Sequence, residues 1–206
     1  MPTLYSSVKT LLFRILLTLL PLFFGANGLS ASPQPLHYLE EFYRMYYLPN
    51  IYDKNDLNRN LYWLQFALKV PFAPPIQALV VPRTEEGYEK YKLLLKMHIN
   101  YLMTQNSVFL GAEYDKHEPV FFNKEYKKEI LESLEWARYY YQCSKNYWDV
   151  VLDYKKQIEK YRRTRVDMDF TEDLLVRIDS GDLDYKRVAD RHLAKIEKTI
   201  QFLNTP

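Results

Sequence analysis

ARYYYQCSKNYWDVVLDYKKQIEKY, residues 137–161, is the stretch whose reading decides the fold. Ala137, Tyr140, Ser144, Tyr147, Val151, Tyr154, Ile158 and Tyr161 recur at alternating steps of three and four, which is the spacing of one face of an α-helix. Within that face Tyr returns at every seventh residue: 140, 147, 154 and 161. A heptad stripe of this kind needs a helix to pack against. Trp136, Tyr139, Tyr141 and Trp148 carry aromatic character beyond a single seam. The pattern predicts one long helix over about 123–165.

Outward from this helix the same period recurs. Residues 36–48 present Leu36, Leu39, Phe42, Tyr43, Tyr46 and Tyr47 on a broad apolar face and meet a stop at Pro49 and Asn50. Residues 57–70 form the next expected helix. Four prolines at 71, 74, 75 and 82 exclude a regular helix from 71–82, leaving a stiff extended connection with apolar side chains. Thr84 is a fitting N-cap, followed by Glu85 and Glu86 at the positive end of a helix expected over 85–105. Residues 106–122, with Gly111 and Pro119, read as a loop. A short helix over 171–178 ends at Ser180 and Gly181, and Asp184 caps the last helix. No segment alternates with period two. The expected fold is all-α: a helical bundle or an array of antiparallel helical hairpins with one long helix in the C-terminal half.

The amino terminus reads differently. Lys9 precedes an apolar run from residue 11 to 24, and small residues follow up to Ser32. That is the layout of a secretory signal, expected to span residues 1–31, with a single α-helical domain over 32–206. The uninterrupted apolar part, 15–24, is shorter than the ~20 residues a spanning helix needs. The expected location is therefore exported and periplasmic, with membrane contact only through an uncleaved signal. Removing Lys9 and Arg14 leaves equal numbers of basic and acidic residues. A neutral balance argues against nucleic acid, which demands a basic surplus.

Chemistry-bearing motifs are missing from the sequence. Of 206 residues five are Gly, and three of those follow the signal. There is no phosphate-cradling glycine loop, no nucleophile elbow and no zinc helix, so no enzyme activity and no cofactor are expected. Cys143 stands alone and reads as a small packing residue. Glu113, Asp115, His117 and Glu118 read as a solvated acidic loop rather than a metal cage. Asp167, Asp169, Glu172 and Asp173 read as complements to a helix dipole. His98 and His192 lie on apolar helix faces and read as buried, hydrogen-bonded side chains.

Nineteen tyrosines are the outstanding compositional feature. Tyr and Trp are enriched at protein interfaces as well as in cores. The expected protein-binding residues are Tyr140, Tyr147, Trp148, Tyr154 and Tyr161, with Phe72 in the proline-rich stretch as a second patch. The partners would be proteins of the cell envelope. The alternative is a periplasmic small-ligand or metal-binding bundle using His98, His117 and His192.

Two resemblances follow from these residues. Trp136 to Tyr141, with Ala137 among them, is similar to a helix of tetratricopeptide-type repeats, although no copy appears at a 34-residue period. The segments 88–102 and 126–161 resemble spirochaete periplasmic helical proteins, including those of the collar around the periplasmic flagellar motor. That likeness implies a scaffold in a flagellar assembly and carries over no functional residue.

Overall fold

The computed structural model describes residues 36–44, 56–116 and 124–205. The expected signal, the stop at Pro49 and Asn50, and His117 and Glu118 lie outside the described residues. Six helices and no strand are present among the described residues: α1 (39–44), α2 (Leu57–Ala67), α3 (Glu85–Tyr114), α4 (Lys127–Ile158), α5 (Asp169–Asp179) and α6 (Tyr185–Asn204). Single 3-10 turns stand at Pro75–Gln77, Lys124–Tyr126 and Glu159–Tyr161. None of the described helices is long and apolar enough to cross a membrane.

Helix starts follow local chemistry. The side chains of Asp56, Thr84 and Asp184 accept hydrogen bonds from the backbone N–H groups of Arg59, Gly87 and Arg187, at 3.1, 3.0 and 3.0 Å. Each satisfies an N–H that the first helical turn leaves without a partner. Helix α5 differs, because its N-cap is Met168 and no side chain closes it. Asp169 and Glu172 still meet the positive end of its dipole.

Helix α3 is the centre. Met97, His98, Ile99 and Asn100 are all buried, so the helix is covered all round in its middle turns. It runs on to Tyr114, nine residues past the expected end at 105. The loop expected over 106–122 is therefore helical as far as 114. Its polar residues do not break the helix, because Asn106 donates to the carbonyl of Leu102 at 2.8 Å. Gly111 is kept for closeness rather than for a turn. A Cβ there would meet the Tyr141 ring of α4 at 2.8 Å.

Helix α4 lies antiparallel on α3. The start of α4 reaches the end of α3 through Ser133 and the Tyr114 carbonyl, and the chain just beyond its far end returns to the start of α3, where Lys90 donates to the Thr164 carbonyl. The expected long helix thus ends at Ile158 rather than 165, continuing only as a 3-10 turn. The buried stripe of α4 is Ile130, Leu134, Ala137, Tyr141, Ser144, Trp148, Val151 and Ile158. One expected seam, of Ala137, Ser144, Val151 and Ile158, is core. The Tyr seam of 140, 147, 154 and 161 is only partly buried and runs along the flank.

Helix α6 packs antiparallel on α4 through Ala189, Ile196 and Leu203. Arg138–Glu197, Lys145–Asp190 and Lys186–Asp149 ion pairs run along that edge. Exposed pairs of this kind contribute only about 0–1 kcal/mol each, so they mark the register more than they hold it. The described residues form the all-α helical bundle, with one long helix in the C-terminal half, that the sequence predicts. The described residues from His37 onward make one compact unit.

Candidate binding groove

An open groove of about 600 Å³ lies between α2 and α4. Both walls repeat one pattern. Asn58, Leu61, Tyr62 and Gln65 line it from α2, and Trp136, Tyr139, Tyr140, Cys143 and Tyr147 from α4. On each helix these are steps of three and four, a stripe beside the one that fills the core. No lining residue carries a charge.

Two hydrogen bonds span the groove. Tyr140 donates to the Asn58 side-chain oxygen at 2.9 Å, and the Gln65 amide donates to the Tyr147 hydroxyl oxygen at 2.6 Å. Along the same groove the rings of Tyr62, Trp136 and Tyr139 are 56%, 49% and 56% exposed. Trp136 stands edge-on to Tyr139, with ring centroids 6.1 Å apart, and Tyr140 stacks on Tyr114 at 5.7 Å. Such contacts hold the rings in place before any ligand arrives. Burial raises the pKa of the Tyr140 and Tyr147 phenols. A hydrogen bond with Cys143 raises that of Tyr139. All three stay neutral at physiological pH, so the groove offers ring faces and neutral polar groups.

The expected site residues divide. Tyr140 and Tyr147 line the groove. Trp148 does not belong to the surface: it is 2% exposed and packs against the Tyr185 ring at 5.3 Å. One residue along the helix turns the side chain by ~100°, which carries Trp148 from the Tyr147 flank into the core. Tyr154 is half-buried and Tyr161 sits in the 3-10 turn, neither of them lining the groove. Phe72 is partly buried, edge-on to Tyr91 at 6.5 Å with the Lys96 ammonium 5.5 Å from its ring centre. Sequence reasoning missed Tyr62, Gln65 and Cys143. The signal was the matching stripe of α2, which only a neighbouring α4 makes meaningful. Cys143, expected in the core, is partly exposed on the groove wall.

His98 and His192 are tied to protein groups. His98 is buried with Nδ1 2.8 Å from the Tyr43 hydroxyl, and burial pushes its pKa down to about 3. His192 Nδ1 lies 2.9 Å from the Tyr141 hydroxyl and 3.0 Å from Asp115 Oδ2. Tyr141 also donates to that carboxylate oxygen at 3.2 Å. Burial first, and then the Asp115 charge, raises the Tyr141 pKa. Asp115 therefore belongs to a polar knot joining α3, α4 and α6, not to a solvated acidic loop. Among the described residues no three His, Cys, Asp or Glu side chains gather as a metal would need.

Residues 86–205, from the first turn of α3 through α6, match the family described as "Domain of unknown function (DUF8513)". The chain belongs to this family. No curated protein and no solved structure matches it. The DUF8513 region holds one wall of the groove, on α4; the other wall, on α2, precedes it.

Proposed function

We propose that this DUF8513 protein is a non-enzymatic scaffold of the cell envelope that holds a protein partner in the groove between α2 and α4. The observation that carries this reading is the exposure of three ordered aromatic rings in an uncharged groove. Rigid aromatic side chains supply large contact area at small entropic cost, and they dominate protein-binding energetics. The lining offers aromatic faces, two amides, neutral phenols and one thiol, which suits holding a partner through ring contacts and neutral hydrogen bonds. Export rests on the amino-terminal sequence. The resemblance to flagellar collar proteins nominates the periplasmic flagellar apparatus as the assembly served.

The test is co-purification from the native envelope, comparing wild type with Tyr62→Ala/Trp136→Ala/Tyr139→Ala. All three rings are substantially exposed, so the variant should melt within a few degrees of wild type while losing its co-purifying proteins. Collar or motor components among those proteins would support the flagellar assignment. Undiminished partner recovery by the triple variant would end the groove reading.

A further inference from the structure

Helix α6 sorts its charges onto two edges. Its carboxylates, Asp190 and Glu197, are taken by Lys145 and Arg138 of α4. Arg187, Arg191, Lys195 and Lys198 recur at steps of four, four and three along another edge, and none of them has an ion-pair partner among the described residues. The whole chain carries 28 basic and 26 acidic residues, so this local surplus does not follow from composition. Beside that edge lies an open pocket of about 350 Å³, lined by Val188, Arg191, His192 and Lys195. His192 is fixed from behind. Its Nδ1–H donates to Asp115 Oδ2 at 3.0 Å, and its ring stacks on Tyr141 with centroids 4.5 Å apart. Asp115 and Tyr141 are themselves buried. A carboxylate only accepts, so Nδ1 carries the proton of that bond and Nε2 is the nitrogen left for the pocket. Nε2 has no hydrogen-bond partner among the described residues. Arg191 gives only its Nε–H to the Arg187 carbonyl, at 3.4 Å, and its terminal nitrogens stay open.

We propose that this pocket is a phosphate site, with the phosphate group held by Arg191, Lys195 and the Nε2 of His192. The site shares no lining residue with the α2–α4 groove and does not rest on that reading. Charge selects an anion, because two uncompensated cations and no carboxylate line the pocket. The number of polar groups selects phosphate. Three side chains meet at the pocket, and a phosphate monoester offers three terminal oxygens where a carboxylate offers two. The flat Arg191 fork takes two oxygens, and the Lys195 ammonium acts as a point charge. His192 Nε2 serves in either proton state: it donates as imidazolium, and as neutral imidazole it accepts from a protonated phosphate oxygen. Asp115 and Tyr141 hold the ring in place before the ligand arrives, as second-row partners do for a binding histidine. Arg187 and Lys198 extend the positive edge to both sides, which suits a soluble phosphate compound and a phosphate headgroup in a bilayer alike.

The experiment is an NMR titration of the His192 ring in the purified protein with inorganic phosphate at constant ionic strength. Wild type should show a saturable shift. Arg191→Gln/Lys195→Gln changes two exposed positions of α6. It should weaken binding about tenfold or more while leaving the melting temperature near wild type. Acetate should bind more weakly than phosphate. A second arm floats phosphatidylcholine vesicles with and without phosphatidic acid, whose headgroup is a phosphate monoester. Retention on the phosphatidic acid vesicles, lost in the double variant, assigns the site to a lipid headgroup. A shift with inorganic phosphate and no vesicle retention assigns it to a soluble phosphate. No response in either arm overturns the proposal, as does a response that survives the double substitution or one that acetate matches at equal concentration.

Discussion

Gly111 and Tyr141 show how one side chain sets the distance between helices. Tyr141 is fully buried and its hydroxyl is committed to Asp115 and His192, so its ring cannot swing aside. Gly111→Ala would place a methyl 2.8 Å from that ring. Ala favours a helix over Gly by ~1 kcal/mol, whereas overpacking a tight core costs about 1–3 kcal/mol. The clash wins, and the urea midpoint should fall. A variant more stable than wild type would show that α3 and α4 can part at this level without loss. The same residue scale explains a misreading. A Gly with a Pro eight residues on looks like a loop in sequence, and only the ring above it shows why Gly is required within a helix.

At the scale of elements, caps and stripes were legible and their partners were not. Thr84 and Asp184 could be identified as N-caps because short polar side chains before an apolar-periodic run have one local use. Asp184→Ala should cost about 1 kcal/mol, seen as a lower midpoint of thermal unfolding. It should also lower helix content at the start of α6, read by amide exchange at Lys186 to Val188. Unchanged protection there would mean that packing against α4 alone fixes the helix start. The Tyr seam of α4 is the contrasting case. Its period is plain, yet period alone does not say which of two neighbouring stripes faces the core. The stripe through Tyr141 and Trp148 won because α3 and α6 cover it. Tyr140 and Tyr147 were left as flank, bonded across a gap to α2.

For the whole molecule, burial of His98 ties stability to pH. Its pKa falls to about 3 in the folded state, against ~6.5 when unfolded. Below pH ~6.5 the unfolded chain binds a proton that the folded chain refuses, so stability is complete above that pH and declines toward pH ~3. The limiting slope is about 1.4 kcal/mol per pH unit. Tyr43, Tyr101 and Phe170 surround the ring, and none of them carries a charge to offset the proton. Urea midpoints taken from pH 7.5 down to 5 should fall in wild type and flatten in His98→Gln. Parallel curves would assign the acid sensitivity elsewhere.

The sequence by itself determined helices, caps, the all-α class and the aromatic wealth of α4, because these depend on neighbours within a few residues along the chain. It also supplied an amino-terminal segment with the pattern of an export signal. Tertiary structure decided the rest. It chose which face of α4 is core, extended α3 through a glycine that looked like a breaker, moved Trp148 inside and brought Cys143 to the surface. It also set Tyr62 and Gln65 opposite Tyr139 and Tyr147 to make a groove that neither helix has alone. The reason is physical: a helix's periodicity is a property of its own backbone, whereas burial and clefts arise only between segments far apart in sequence.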